Sequence, residues 1–116
     1  MASSDFRNVV QTDLEATIAN GQTTSGEVDL KGTTVCGFHI PATFTGTTLK
    51  LSAAAENDST FRTVMSAGAD YSLTVAAGKY VPIENLAIVS GLRRIKLISG
   101  SSEAAARKII IATRPV

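Results

Sequence analysis

The sequence predicts an all-β fold: an antiparallel β-sandwich, jelly-roll-like, with about eight strands and one short helical turn. Three observations predict it. Runs of alternating apolar and polar residues recur along the chain, the period-2 mark of half-buried strands. Turn-forming clusters close these runs, at Asn20-Gly21, Lys31-Gly32, Pro41 to Gly46, Glu56 to Ser59, Gly78 and Gly100 to Ser102. The composition fits the same picture, with 14 Thr, 11 Ser, 16 Ala and 9 Gly against 5% aromatics and no Trp. Thr suits pleated surfaces, while Gly and Ser suit turns. With 44% hydrophobic residues among 116, the chain can fill one core.

Residues 1–12 form an N-terminal arm, and residues 13–116 form the sandwich. In the arm, Phe6, Val9 and Val10 are the large apolar residues. They fit one helical turn or an extended docking segment, and both readings stay open. Leu14, Ala16 and Ile18 alternate with Glu15 and Thr17 in the first strand. Thr24 to Leu30 follows, with Val28 and Leu30 inward and Glu27 and Asp29 outward. Thr34 to Ile40 is the third run, with Val35, Phe38 and Ile40 in the core. Gly37 inside it predicts a bulge or a close backbone approach. Pro41 ends that run, and Phe44 folds back onto the core. Thr48 to Ala54 points Leu49 and Leu51 inward.

Phe61 to Met65 is a short fifth run, broken by Ser66-Ala67-Gly68. Tyr71, Leu73 and Val75 share the core face of the next. Tyr80-Val81-Pro82 is extended. Ile83, Leu86 and Ala87, spaced at i, i+3 and i+4, predict a helical turn tucked under the sandwich. Leu92 to Ser99 resumes strand. Ala104 to Ala106 is too short for a helix of its own. Lys108 to Arg114 is the last strand, and its triplet Ile109 to Ile111 predicts cover on both faces.

Net charge is +1, which gives no global attraction to nucleic acid or anionic membrane. The charge is unevenly spread. Residues 1–92 hold nine acids and five bases, and residues 93–116 hold six bases and one acid. The plain reading of the basic segment is two neighbouring strands with basic solvent-facing positions. The sharper reading is a surface that meets an acidic partner. The candidate interface residues are therefore Phe6, Arg7, Val9 and Val10 in the arm, and Arg93, Arg94, Lys96 and Lys108 in the basic strands. No apolar run approaches the roughly 20 residues of a membrane helix. No signal peptide is expected, and synthesis is expected in a reducing cytoplasm.

No catalytic, metal or cofactor site is expected. Cys36 and His39 are the only Cys and His, too few for a zinc site. Three apart on one strand, they point to opposite faces unless Gly37 bulges. Glu56, Asn57 and Asp58, with Asp70 if the loops cluster, could supply some of the oxygen ligands a calcium ion needs, against the plainer reading of a solvated loop. The basic segment contains no aromatic, which counts against single-strand nucleic-acid binding. Tyr71 and Tyr80 are the only tyrosines, and Tyr71 reads as core, which weakens a lectin reading.

The runs GEVDLKGTTVCGFHIPATFTGTTLKLSAAAENDSTFRTV, YSLTVAAGKYVPI, GLRRIKLISG and IIIATRPV resemble small β-sandwich virion structural proteins of tailed bacteriophages, of the capsid decoration or cement type. The resemblance covers about residues 14–116 and concerns fold and packing. It implies a non-enzymatic protein on the outer capsid shell, with the major capsid protein as partner and a dimer or trimer as the assembled form. It implies no bound nucleic acid and no membrane. The alternative it leaves is a tail or fibre module that binds a receptor or glycan, which needs an exposed aromatic with polar neighbours at one loop end.

Overall fold

A computed structural model describes residues 12–115. In chain order its strands are β1 (Thr12–Ile18), β2 (Val28–Asp29), β3 (Thr33–His39), β4 (Thr48–Ala54), β5 (Arg62–Thr63), β6 (Met65–Ser66), β7 (Ala69–Asp70), β8 (Ser72–Thr74) and β9 (Tyr80–Pro82). A 3-10 turn at Leu86–Ile88 precedes β10 (Arg94–Ser99) and β11 (Arg107–Pro115). Thr12, assigned to the arm by sequence, opens β1 opposite Thr113.

Two antiparallel sheets face each other. One has the order β1-β11-β3-β9, and the other has β2-β10-β4-β5 with β8 also on β4. Both β5 and β8 lie along one edge of β4, so residues 62–74 act as a single fifth strand. The pairs are then nested: first with last, second with seventh, third with sixth, fourth with fifth. A hairpin folded back on itself in this way is a jelly roll, the predicted fold.

The core lies between the sheets. Ile18, Val35, Phe38, Leu49, Leu51, Ile95, Leu97, Ile109 and Ile111 are fully buried. Val35 and Phe38 have opposite parity, yet both face inward. The ladder explains it: Ala112 pairs with Gly37 and Thr113 with Val35, so Cys36 is an extra residue on β3. This is the bulge that Gly37 predicts. Gly37 is also a close approach. A β-carbon there would lie 2.6 Å from Tyr80 Cζ and 2.8 Å from the Val81 carbonyl oxygen.

Several expectations need correction. The basic strands β10 and β11 are not neighbours, because nested pairing puts them in opposite sheets. The fifth and sixth runs are not separate strands. Between β5 and β8 the chain leaves the sheet as a small hairpin, β6-β7, turning at Ala67 and Gly68 with φ of 55° and 83°. Val64 donates to the Leu51 carbonyl and Tyr71 donates to the Val64 carbonyl, which closes the excursion at its base. The run from Thr24 to Leu30 is interrupted. Beyond isolated bridges at Ser25 and Thr24 it pairs with β10 only at Val28 and Asp29. The turn near residue 86 is anchored by buried Ile83 and Val89, while Leu86 is exposed. Ile110 is half-exposed, so one face of the isoleucine triplet is only partly covered.

Candidate functional site

The predicted interface residues do not form one surface. Phe6, Arg7, Val9 and Val10 lie outside the described residues. Lys108 is on the outer face of the first sheet, where it pairs with Glu15 at 3.7 Å. Arg94 and Lys96 belong to β10 in the other sheet, and Arg93 lies just before it. Arg93 meets Asp29 at 3.4 Å and Glu56 at 3.9 Å. The Arg94 side chain is 17% exposed and clamps the molecule to itself. It donates to Glu27 at 3.1 Å, to the Ala55 carbonyl at 2.6 Å and to the Asp58 carbonyl. The Lys96 ammonium sits 4.5 Å from the centre of the Phe61 ring, and Arg94 lies 5.6 Å from the same ring. Phe61 thus supplies the aromatic that the basic segment itself lacks. Sequence spacing hides it because β4, running between β10 and β5, brings the two segments together.

His39 is exposed on β3 and stacks on Tyr80, its cross-strand partner, with ring centroids 4.6 Å apart. The half-exposed Cys36 thiol donates to the Thr34 carbonyl at 3.6 Å, and no hydrogen bond joins it to His39. Burial, together with the nearby Cys36, raises the Tyr80 phenol above its ordinary value. The loop carboxylates are also engaged. Asp58 accepts from the Thr60 N–H at 2.9 Å and from Arg62 at 3.1 Å, and these two bonds hold its carboxyl below the ordinary value. Asp70 pairs with Lys50 at 3.3 Å, away from Glu56 and Asp58. Among the described residues there is no group of three or more His, Cys, Asp or Glu able to hold a metal ion.

The most enclosed charge among the described residues lies in the connection between β10 and β11. Glu103 is 1% exposed. Its carboxylate accepts from the Thr45 N–H at 3.0 Å, the Thr45 hydroxyl at 2.9 Å, the Gly46 N–H at 3.1 Å, the Ser99 hydroxyl at 3.2 Å and Arg107 Nε at 2.9 Å. Its backbone joins the 19–22 turn through Gly21 and Gln22. Burial alone raises this carboxyl, but the bonds from Arg107, Thr45 and Ser99 outweigh it and hold it below its ordinary value of 4.5. Every oxygen is satisfied, so the site is a structural pin. Gly46 is part of it: a β-carbon there would strike the Ser99 hydroxyl and come within 3.0 Å of the Phe44 ring. The sequence offered one signal, a lone acid in a segment of six bases.

A cleft of about 370 Å³ opens where the edge strands β8 and β9 of the two sheets come together. Tyr71, Leu73 and Thr74 line one side, and Val81 and Pro82 the other. Glu84, Asn85 and Ile88, from the segment around the 3-10 turn, complete it. Asn85 caps that turn: its Oδ1 accepts from the Ala87 N–H at 3.2 Å. Tyr71 is half-buried at the cleft wall rather than enclosed in the core, and burial, helped by the negative charge of Glu84, raises its phenol above the ordinary value. No local motif marks this cleft, because its walls come from two sheets. Comparison with protein-family models, curated proteins and solved structures found no match.

Proposed function

We propose that this chain is a non-enzymatic capsid decoration (cement) protein of a tailed bacteriophage, carried on the outer shell of the virion and bound to the major capsid protein. The observation that best supports this reading is the open edge at β1. Among the described residues, Thr12–Ala16 pair with β11 on one side only, and the far end of the edge is taken by the Gly26 N–H bonded to the Thr17 carbonyl at 3.2 Å. An open antiparallel edge accepts an added strand through main-chain hydrogen bonds. Its outward side chains are Asp13 and Glu15. A two-fold β1–β1 pairing centred on Leu14 would set Asp13 against Glu15 of the second copy, a repulsive cross-strand pair. The edge therefore suits a strand of different, basic-faced sequence better than its own copy. A dimer or trimer would use another surface.

Many copies on a shell make weak single contacts sufficient. The test is immunogold labelling of purified particles from cells whose genome encodes the chain. The expected result is dense label over the head. Label confined to a tail tip, or no chain in the particles, contradicts the reading. The second reading, a tail or fibre module binding a receptor or glycan, is favoured by one observation. The cleft at β8 and β9 puts a half-buried tyrosine beside polar groups near a loop.

A further inference from the structure

We propose that the cleft between β8 and β9 is a saccharide subsite that takes one neutral or amino-substituted pyranose unit. The inference holds whether the protein sits on a head or a tail. A pyranose presents an apolar C–H face and a rim of hydroxyls, each both donor and acceptor. The cleft offers a counterpart to each. The Tyr71 ring, with Leu73, Val81 and Ile88, supplies an apolar wall. At the rim, the Glu84 carboxylate is acceptor-only, and it makes no ion pair among the described residues. Asn85 spends its Oδ1 on the Ala87 N–H, which leaves its Nδ2 hydrogens as donors. A carboxylate next to an amide donor matches adjacent sugar hydroxyls.

The volume of about 370 Å³ lies at the small end of ligand sites, roughly 300–1,000 Å³. That suits one sugar ring better than a long chain. Charge narrows the class further. Among the described residues Glu84 is the only charged one lining the cleft, so uronic acids, sialic acids and sugar phosphates meet a like charge without a cation there to offset it. Neutral and amino sugars meet no such penalty. The walls are also well supported. Tyr71 is fixed by its backbone bond to Val64 at 2.8 Å, and the turn bearing Ile88 is held by buried Ile83 and Val89.

The test is titration of the isotope-labelled full-length protein with the methyl glycosides of glucose, galactose, N-acetylglucosamine and glucosamine, with methyl glucuronide as the anionic control. Saturable amide shifts confined to residues 71–74 and 81–88 with at least one of the four are expected. Glu84→Ala, at an exposed position outside the core, is expected to weaken that binding about tenfold, equivalent to about 1.4 kcal/mol. Tyr71→Ala is expected to abolish it, whereas Tyr71→Phe, which keeps the ring, is expected to retain it; if the alanine variant does not fold, loss of binding in Tyr71→Phe contradicts the role given to the ring. No saturable shift with any of the four overturns the proposal. So does a shift centred elsewhere, equal binding of the glucuronide, or binding that Glu84→Ala leaves unchanged.

Discussion

Replacing Glu103 by Gln keeps its size but turns one acceptor into a donor, which then faces the Thr45 N–H and Arg107 Nε if it takes the place of Oε1, or the Gly46 N–H if it takes the place of Oε2. Breaking a buried, fully bonded charge from one side costs about 3–5 kcal/mol. Glu103→Gln is therefore expected to lower stability by that amount in denaturant unfolding at pH 7. The pH dependence has a definite sign. The folded carboxyl titrates below its ordinary 4.5, so its contribution is full above that value and is lost as pH falls through the folded pKa. The gap between wild type and Glu103→Gln is expected to narrow below pH 4.5 and to stay constant above it. Gly37→Ala is a second residue-scale test. Its β-carbon would meet the Tyr80 ring and the Val81 carbonyl, and such overpacking costs about 1–3 kcal/mol. Adding Tyr80→Ala is expected to recover part of that loss, because one of the two obstacles is then gone.

Single elements carry two further expectations. The β6-β7 hairpin turns through Ala67 with φ of 55°, a conformation that strains any residue with a β-carbon and that Asn tolerates better. Ala67→Asn is expected to stabilise the protein by about 0.5–1 kcal/mol, read as a raised melting temperature. An unchanged or lower value contradicts the turn geometry. Arg94 holds Glu27 and the carbonyls of Ala55 and Asp58 with one planar fork, which Lys does not reproduce. Arg94→Lys is expected to speed amide exchange in residues 55–60 while leaving β10 protected. Most strands were legible as alternating runs, because each buries one face. The β6-β7 excursion was not, since its two-residue strands are too short to show a period. The reversal of side-chain parity at Cys36 was legible only as a Gly in an apolar run.

Across the whole molecule, nested pairing joins the two ends of the described chain. β1 pairs with β11 along its full length, from Thr12–Thr113 to Ile18–Arg107. Such contacts must close long loops before they repay the entropy, so refolding is expected in milliseconds to seconds rather than microseconds. Stopped-flow fluorescence from Tyr71 and Tyr80 is the check. The same topology explains what the sequence hid. Charge counted along the chain suggested one basic surface, but β10 and β11 lie in opposite sheets, and Arg107 turns inward to Glu103. The cleft was hidden for the same reason, since Tyr71 and Glu84 meet only when β8 and β9 close the open side of the sandwich.

The decoration reading turns on whether the folded chain binds a phage shell. The measurement is add-back: particles from a deletion of the encoding gene are mixed with purified protein, sedimented, and scored for copies bound and for survival in a chelator and heat challenge. The account predicts saturable binding in many copies per head, with raised survival, and weaker binding when Glu15 and Asp13 on the β1 edge are replaced by Lys. Particles that bind no protein, or bind it without any gain in survival, would contradict it.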